Sequence, residues 1–404
     1  VATAETSWTL ERARTLDAED PIAATRERFF SPDGTIYLNA NSLGPLPAAA
    51  AARVRETVED QWGRSLSAGW TSGGWMDAPT ALGDRIAPLV GAAPGEVLVA
   101  DTTSVALTKL LGAALGARPG RRVVLSSTDN FPSDLYAAGA AARHAGARLR
   151  VVDRSELPAA IADAGEDLAV CALSHVDFRT GALLDLRSLT ERVHAVGGLA
   201  LWDLCHSAGV VPVGCGANGV DLAVGCTYKY LNAGPGAPSF LYVRRALHDT
   251  LENPIPGWLG HAEPFGFELD WRPATGIRRF STSTPPVVAL SILDAALDAF
   301  EGVGIEAIRA KSKALGTLFV EVVSASGLRD LELASPASAD ERGAQVSLRH
   351  PRAPGLLEAL ARRGVVGDLR PPSLCRFGLS PLALSFEEVF RAASAVAEAV
   401  RSLG

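Results

Sequence analysis

The 404-residue sequence predicts an α/β fold: a large domain with a mostly parallel seven-stranded sheet, followed by a smaller C-terminal α+β domain. Three observations predict it. Seven short apolar runs alternate with helical or turn-like stretches between about residues 50 and 290, the rhythm of strands joined by crossover helices. The runs are almost continuously apolar rather than alternating, as in strands covered on both faces. Beyond about residue 290 the pattern changes to long Ala-rich helical sequence and then short strand-like segments.

In chain order, residues 1–50 form an N-terminal segment. It has an acidic helix-like start and a Gly/Pro-rich turn, GTIYLNANSLGPLP, in which IYL is a short strand before a loop. Residues 51–290 form the large domain, with strands at VLVA (97–100), RVVLSS (122–127), LRVVD (149–153), LAVCALSH (168–175), GLALWD (198–203), DLAVGCT (221–227) and SFLYV (239–243). Residues 291–404 form the small domain: helical sequence through VEVV, strands at AQVSLRH and CRFGLS, and a terminal Ala/Glu helix. There is no internal repeat and no low-complexity segment.

Composition narrows the function classes. With 38 Lys+Arg against 45 Asp+Glu, the net charge of −7 offers no footprint for nucleic acid, and 21% charged residues are too few for a disordered polyelectrolyte. No run approaches the ~18 apolar residues of a membrane span. The five cysteines (171, 205, 215, 226, 375) are odd in number and lack C-x-x-C spacing, so they read as reduced core thiols of a cytoplasmic protein. The N-terminal residues show no apolar signal region.

In such sheets ligands gather at the carboxyl ends of the strands, which directs attention to Asp101, Ser174, Asp203 and Lys229. Only four residues are lysines, so each is informative. Lys229, in GCTYKYLNAGPG, follows a buried strand among apolar and aromatic neighbours; desolvation there is expected to lower its pKa and favour the neutral amine that forms imines with carbonyl compounds. A rim lysine with its charge in solvent is the plain reading of an isolated residue. Lys109, Lys311 and Lys313 fall in helical runs and are expected on solvated faces. Asp203 ends the strand GLALWD with His206 three residues on. A buried acid needs a cationic partner, and a pyridinium nitrogen is one; a helix N-cap is the equally simple alternative. A lysine that forms an imine together with an acid on a pyridinium is the signature of pyridoxal phosphate chemistry. Thr102, Thr103 and Ser104 precede an apolar helix whose free amides suit a phosphate, although hydroxyl-rich helix starts are commonly plain caps. No histidine pair or Cys/His cluster has metal spacing, so no metal site is expected. There is no Walker or G-x-S-x-G sequence, and no G-x-G-x-x-G opening an early helix.

These residues sit in stretches that closely resemble the kynureninase family, pyridoxal-phosphate enzymes of the aspartate-aminotransferase fold (fold type I, class V group). The stretches run from about residue 34 to 381: YLNANSLGPLP, DTTSVALTKLL, DNFPSDLYAA, DLCHSAG, GCTYKYLNAGPGAP, GWLGH, STSTPP and GDLRPPSLCRFGLSP. The resemblance implies that Lys229 carries the cofactor and shuttles protons, that Asp203 pairs with the pyridinium nitrogen, and that His206 lies beside the ring. It implies phosphate contacts from Thr103, Ser104 and Tyr228, with Tyr228 also counted in the catalytic set. Phe131 would stack on the ring, with Asp134 near it, and Ser174 would also touch the cofactor. Trp258 and Thr284 would reach the phosphate of the neighbouring subunit, implying a homodimer with shared sites. Arg376 would grip the substrate α-carboxylate, with Asn41 and Ser42 also at the substrate; for Arg376 an interdomain salt bridge is the plain alternative.

The implied reaction is hydrolysis of the Cβ–Cγ bond of L-kynurenine to anthranilate and L-alanine, in tryptophan catabolism. Two departures bear on substrate fit: YLNANSLG where the family commonly reads YLDGNSLG, and Ala383 where an aromatic is common; Thr284, in place of the Asn of animal members, resembles bacterial enzymes that prefer kynurenine over 3-hydroxykynurenine. The Arg-rich, Ala-rich, Lys-poor composition points to a high-GC bacterium, and there the resemblance leaves open a family member of secondary metabolism that takes a ring-substituted kynurenine. Two further alternatives stand: another class V reaction, desulfuration or transamination, and a non-catalytic protein on a retired fold. Desulfuration needs a mobile nucleophilic cysteine, and Cys375 beside Arg376 reads as core.

Overall fold

The computed structural model describes residues 8–403. Strand β1 (Ile36–Tyr37) is followed by seven strands that make one sheet: β2 (Val97–Ala100), β3 (Val123–Ser127), β4 (Arg148–Val152), β5 (Leu168–Ser174), β6 (Leu199–Asp203), β7 (Leu222–Cys226) and β8 (Ser239–Val243). Their order across the sheet is β2-β8-β7-β6-β5-β3-β4. All neighbours pair in parallel except β8, which runs antiparallel to both β7 and β2. All seven strands lie within a residue or two of the runs read from sequence, because helices on both faces leave no exposed side for a polar alternation. Every residue of β3, β5, β6, β7 and β8 is buried. β4, at the sheet edge, is half-exposed and carries Arg148 and Arg150.

The second core is built from the C-terminal third together with the N-terminal segment. β9 (Glu332–Leu333), β10 (Gln345–Arg349), β12 (Asp368–Arg370) and β13 (Leu374–Gly378) make an antiparallel sheet, and β11 (Val365–Val366) pairs in parallel with β1. Helix Ile305–Ala325 and helix Phe386–Leu403 pack on it, and Trp8, Ala13 and Leu38 join the same cluster as Phe319, Phe377 and Val396. The long Ala-rich stretch is two helices rather than one: Val287–Leu297 ends, a short turn follows, and Gly302 at φ +75° redirects the chain before Ile305.

Two of the four lysines depart from the expectation of solvated faces. Lys109 is fully buried, paired with Asp101, and Lys311 is 5% exposed with its ammonium 2.7 Å from Asp20. Helical periodicity marks a face, but an Ala/Leu-rich helix has too little polar surface to say which face meets water. Only Lys313 is on an open face, paired with Asp340. The spacing G-x-G-x-x-G does occur at Gly214, Gly216 and Gly219, but in a turn before β7 and not at a helix start. No helix among the described residues is long and apolar enough to cross a membrane.

Candidate active site

The carboxyl ends of β5, β6 and β7 converge on a cavity of about 450 Å³, closed on the far side by β12 and β13 of the smaller sheet. Of the fourteen residues to which the resemblance gives a role, twelve line it, Asn41 and Ser42 among them, and Trp258 and Thr284 do not; Asp101 lies outside it as well.

Asp203, the last residue of β6, is 8% exposed. Its Oδ1 accepts the Cys205 N–H at 2.7 Å, a short turn cap, and Ser174 Oγ approaches Oδ2 at 3.5 Å. Among the described residues no Lys, Arg or His lies within ion-pair distance of it, so a buried carboxylate is left without a cation. Asp134, in the first turn of helix Pro132–His144, faces it. Burial, then the Asp203 charge and a hydrogen bond to Asp203, push the Asp134 pKa well up, against the pull of Lys229. The raised pKa favours the neutral acid at Asp134, the form that can donate to the Asp203 carboxylate.

Lys229 sits in the irregular turn after β7, its Nζ 3.0 Å from His206 Nε2 and 5.7 Å from the Tyr228 ring centre. Burial works to lower its pKa, as the sequence suggests. The acidic groups around it, Cys226, Cys205, Tyr228 and Asp203, act the other way, and the net direction is upward. The net direction is opposite to the neutral amine expected from burial alone, because Cys205 and Asp203 reach Lys229 from the end of β6, which the linear sequence does not show. His206 is held well below its ordinary pKa by burial and by Lys229, Arg376 and Arg370, so its neutral Nε2 accepts from the ammonium. Tyr228 is pushed up to about 12, chiefly by burial.

Thr102 takes an extended N-cap conformation before helix Thr103–Gly116, but its hydroxyl makes no capping bond. The plain-cap alternative therefore fails, and the first amides of a 14-residue helix stay free at the cavity, beside Thr103 and Ser104. At the other end, Phe131 packs edge-to-face on Phe178 with centroids 5.0 Å apart.

Arg376 on β13 is fully buried. Its Nε donates to Asp368 Oδ1 at 2.7 Å and Nη2 to Oδ2, a fork set by the β12–β13 register in which Asp368 faces Arg376. Nη1 donates to the Phe178 carbonyl at 2.5 Å, across to the large domain. Three of five N–H donors are thus committed and two remain for the cavity. The salt bridge expected between domains is instead within the small domain, to Asp368, and the link to the large domain is the hydrogen bond to Phe178. Asn41 donates to Gln345 at 3.0 Å while its buried Oδ1 has no partner.

Sequence reasoning missed several supports. Asn130 in DNFPSD accepts the Ser174 amide at 2.6 Å and so fixes the end of β5. Gly44 donates its N–H to the Tyr228 carbonyl at 2.8 Å, and a Cβ there would lie 2.2 Å from the Lys229 carbonyl oxygen, so any side chain displaces the lysine turn. Asp368 was readable in principle, as an acid eight residues before an arginine in a Pro-turned hairpin. Of the departures, Ala40 and Ala383 pack into core rather than the cavity. Trp258 donates its indole N–H to the Pro264 carbonyl and stacks on Phe265, and Thr284 lines an adjoining cavity of about 440 Å³.

The donor set fits pyridoxal phosphate. An anion site, a primary amine and a cation-starved carboxylate line one cavity, and Asp134 Oδ2 and His206 Nδ1 are buried without partners. Among the described residues no group of three His, Cys, Asp or Glu side chains could hold a metal. The five cysteines are buried and free; Cys205 lines the cavity, but its hydrogen bond to Cys226 and its burial push its pKa well up.

Comparison with known proteins agrees. Residues 308–396 match the family model "Kynureninase C-terminal domain". The chain is 44% identical over 391 residues to a kynureninase of Pseudomonas fluorescens, covering 95% of this chain and 93% of the relative. It is 44% identical to one of Burkholderia pseudomallei, covering 95% and 94%. Among solved structures, a cysteine desulfurase of Thermococcus onnurineus superposes with a TM-score of 0.77 at 17% identity, covering both chains fully. A C-DES variant with glycine covalently linked to its PLP cofactor gives 0.75 at 18%, covering 92% of this chain and 99% of that one. At such identities these two show the shared fold.

Proposed function

The chain belongs to the kynureninase family, and from that premise we propose that it hydrolyses the Cβ–Cγ bond of L-kynurenine, releasing anthranilate and L-alanine, with the cavity residues in the roles that follow. The observation that carries the assignment of roles is the buried Asp203 carboxylate without a cation, facing the same cavity as Lys229. Bound pyridoxal phosphate supplies an electron sink for charge that develops at the substrate α-carbon.

The residues of this chain do the rest. The free amides at the start of helix Thr103–Gly116, with Thr103 and Ser104, hold the phosphate, and Tyr228 lies close enough to Lys229 to share that end. Asp203 would hold the ring nitrogen in its protonated form, with Ser174 and the neighbouring Asp134, whose pKa is raised, steadying the carboxylate. Phe131, braced by Phe178, covers one ring face, and neutral His206 the region beside Lys229. Lys229 removes the α-proton once its own proton has been given up, and returns it on the way to alanine. Arg376 turns its two free N–H donors to the α-carboxylate, while Asp368 keeps the guanidinium from swinging away. Asn41 Oδ1 and Ser42 meet the remaining polar atoms of the substrate. One water adds at the γ-carbonyl carbon as the Cβ–Cγ bond breaks, so the atoms of kynurenine and water are all found in the two products.

The same reading makes the protein a homodimer in which Trp258 and Thr284 complete the partner's site. Their position outside their own chain's cavity supports it. A reducing, cytoplasmic setting is supported by five free thiols. The test is to incubate pyridoxal-phosphate-loaded protein with L-kynurenine and, separately, 3-hydroxykynurenine, and to quantify aromatic product and alanine. Anthranilate and alanine in equal amounts are expected from kynurenine; alanine without an aromatic acid, or no product from either, contradicts the reading.

A further inference from the structure

Lys109 has no role in the reaction above, yet its side chain is fully buried in the large domain. It lies in helix Thr103–Gly116 with no exposed surface; its ammonium donates to Asp101 Oδ2 at 2.5 Å and to the Phe280 carbonyl at 2.7 Å. Asp101 is the residue between the end of β2 and the N-cap Thr102, and it holds φ at +52°, a left-handed conformation that needs support outside glycine. Phe280 closes the turn leading into Ser281–Thr284, which line the adjoining cavity. Thr102 borders both cavities. One ammonium therefore ties the strained entrance of the phosphate helix to the wall opposite it. A buried ion pair of this kind contributes little net stability against an apolar replacement, so its use is to fix one geometry.

We propose that Lys109 is a positioning residue for the cofactor phosphate: by anchoring Asp101 to the Phe280 backbone it holds the turn 101–104 so that the free amides of the helix start face the cavity. The proposal rests on the cofactor reading above. It concerns the phosphate alone, and this separates it from a general structural role. In Lys109→Met the turn relaxes, and the apo-protein loses at least tenfold in affinity for pyridoxal 5′-phosphate but less than threefold for pyridoxal, both followed by the absorbance change on attachment to Lys229. Inorganic phosphate is expected to raise the melting temperature of wild-type apo-protein and not that of the variant. Asp101→Asn keeps the left-handed preference and removes the ion pair, so it shows the same selectivity with a smaller loss, and it decides the matter if Lys109→Met does not fold. Equal loss for pyridoxal and its phosphate, or no loss for either, overturns the proposal. A wild-type protein that takes up neither compound overturns the cofactor reading itself, and the proposal with it.

Discussion

Asp203 and Asp221 are both buried acids of the same sheet, at opposite ends. Asp221, just before β7, gives one oxygen to the Ala200 N–H at 2.8 Å and to His194 Nε2 at 2.7 Å, and the other to Arg244 at 2.5 Å. Asp203, ending β6, has one backbone donor, a long contact from Ser174 and a second carboxyl facing it. The amino end of the sheet is therefore finished by the chain itself. The carboxyl end is left short of a cation, which is how a site built for a charged ligand differs from a structural ion pair.

The largest effect that sharpens this contrast is at Lys229. Lys229→Ala is expected to lower kynurenine turnover by at least about 10³-fold, with an unchanged melting temperature of the apo-protein. At the finished end the signs reverse: Asp221→Ala strands Arg244 and costs about 3 kcal/mol in urea unfolding, while kcat of the folded fraction stays within about twofold of wild type. On the far wall, Arg376→Ala removes charge-assisted hydrogen bonds of about 1.5–3 kcal/mol. KM for kynurenine rises roughly 10- to 100-fold, with kcat changed less; a loss confined to kcat would contradict substrate binding by Arg376.

The smallest effect tests the pair at the open end. The Asp134 pKa is raised on folding, so the native protein binds the extra proton, and the stability it brings is present in acid and lost as pH rises through the folded pKa. Asp134→Asn has no such proton. As pH rises above the ordinary carboxylate range the apo-protein should lose stability relative to this variant, until pH passes the raised pKa of the folded state. A difference that is flat in pH, read by urea titration, contradicts a protonated Asp134.

The sheet was legible because seven apolar runs punctuated by polar ends admit little else, and the ends named Ser174 and Asp203 directly. The phosphate helix was legible for its hydroxyls, while its free amides depend on a Thr102 conformation that no propensity encodes. What stayed hidden depends on contacts distant in sequence. Lys109 looks solvated in a helical window because Phe280, 171 residues away, is what buries its charge. The upward direction at Lys229 comes from Cys226 and Tyr228 beside it together with Cys205 and Asp203 across the β6–β7 crossover, and the brace on Arg376 from the strand register that brings Asp368 opposite.

The central claim is that the carboxyl end of the sheet is left unsatisfied for the cofactor. Its most direct test is the unfolding free energy of wild type and Asp203→Asn, each with and without pyridoxal phosphate. Asparagine keeps the bond from Cys205 and removes the unpaired charge. The apo variant should therefore be at least as stable as wild-type apo-protein, and should gain less stability when the cofactor is added. An apo variant destabilised as Asp221→Ala is, with an undiminished gain from the cofactor, would contradict the account.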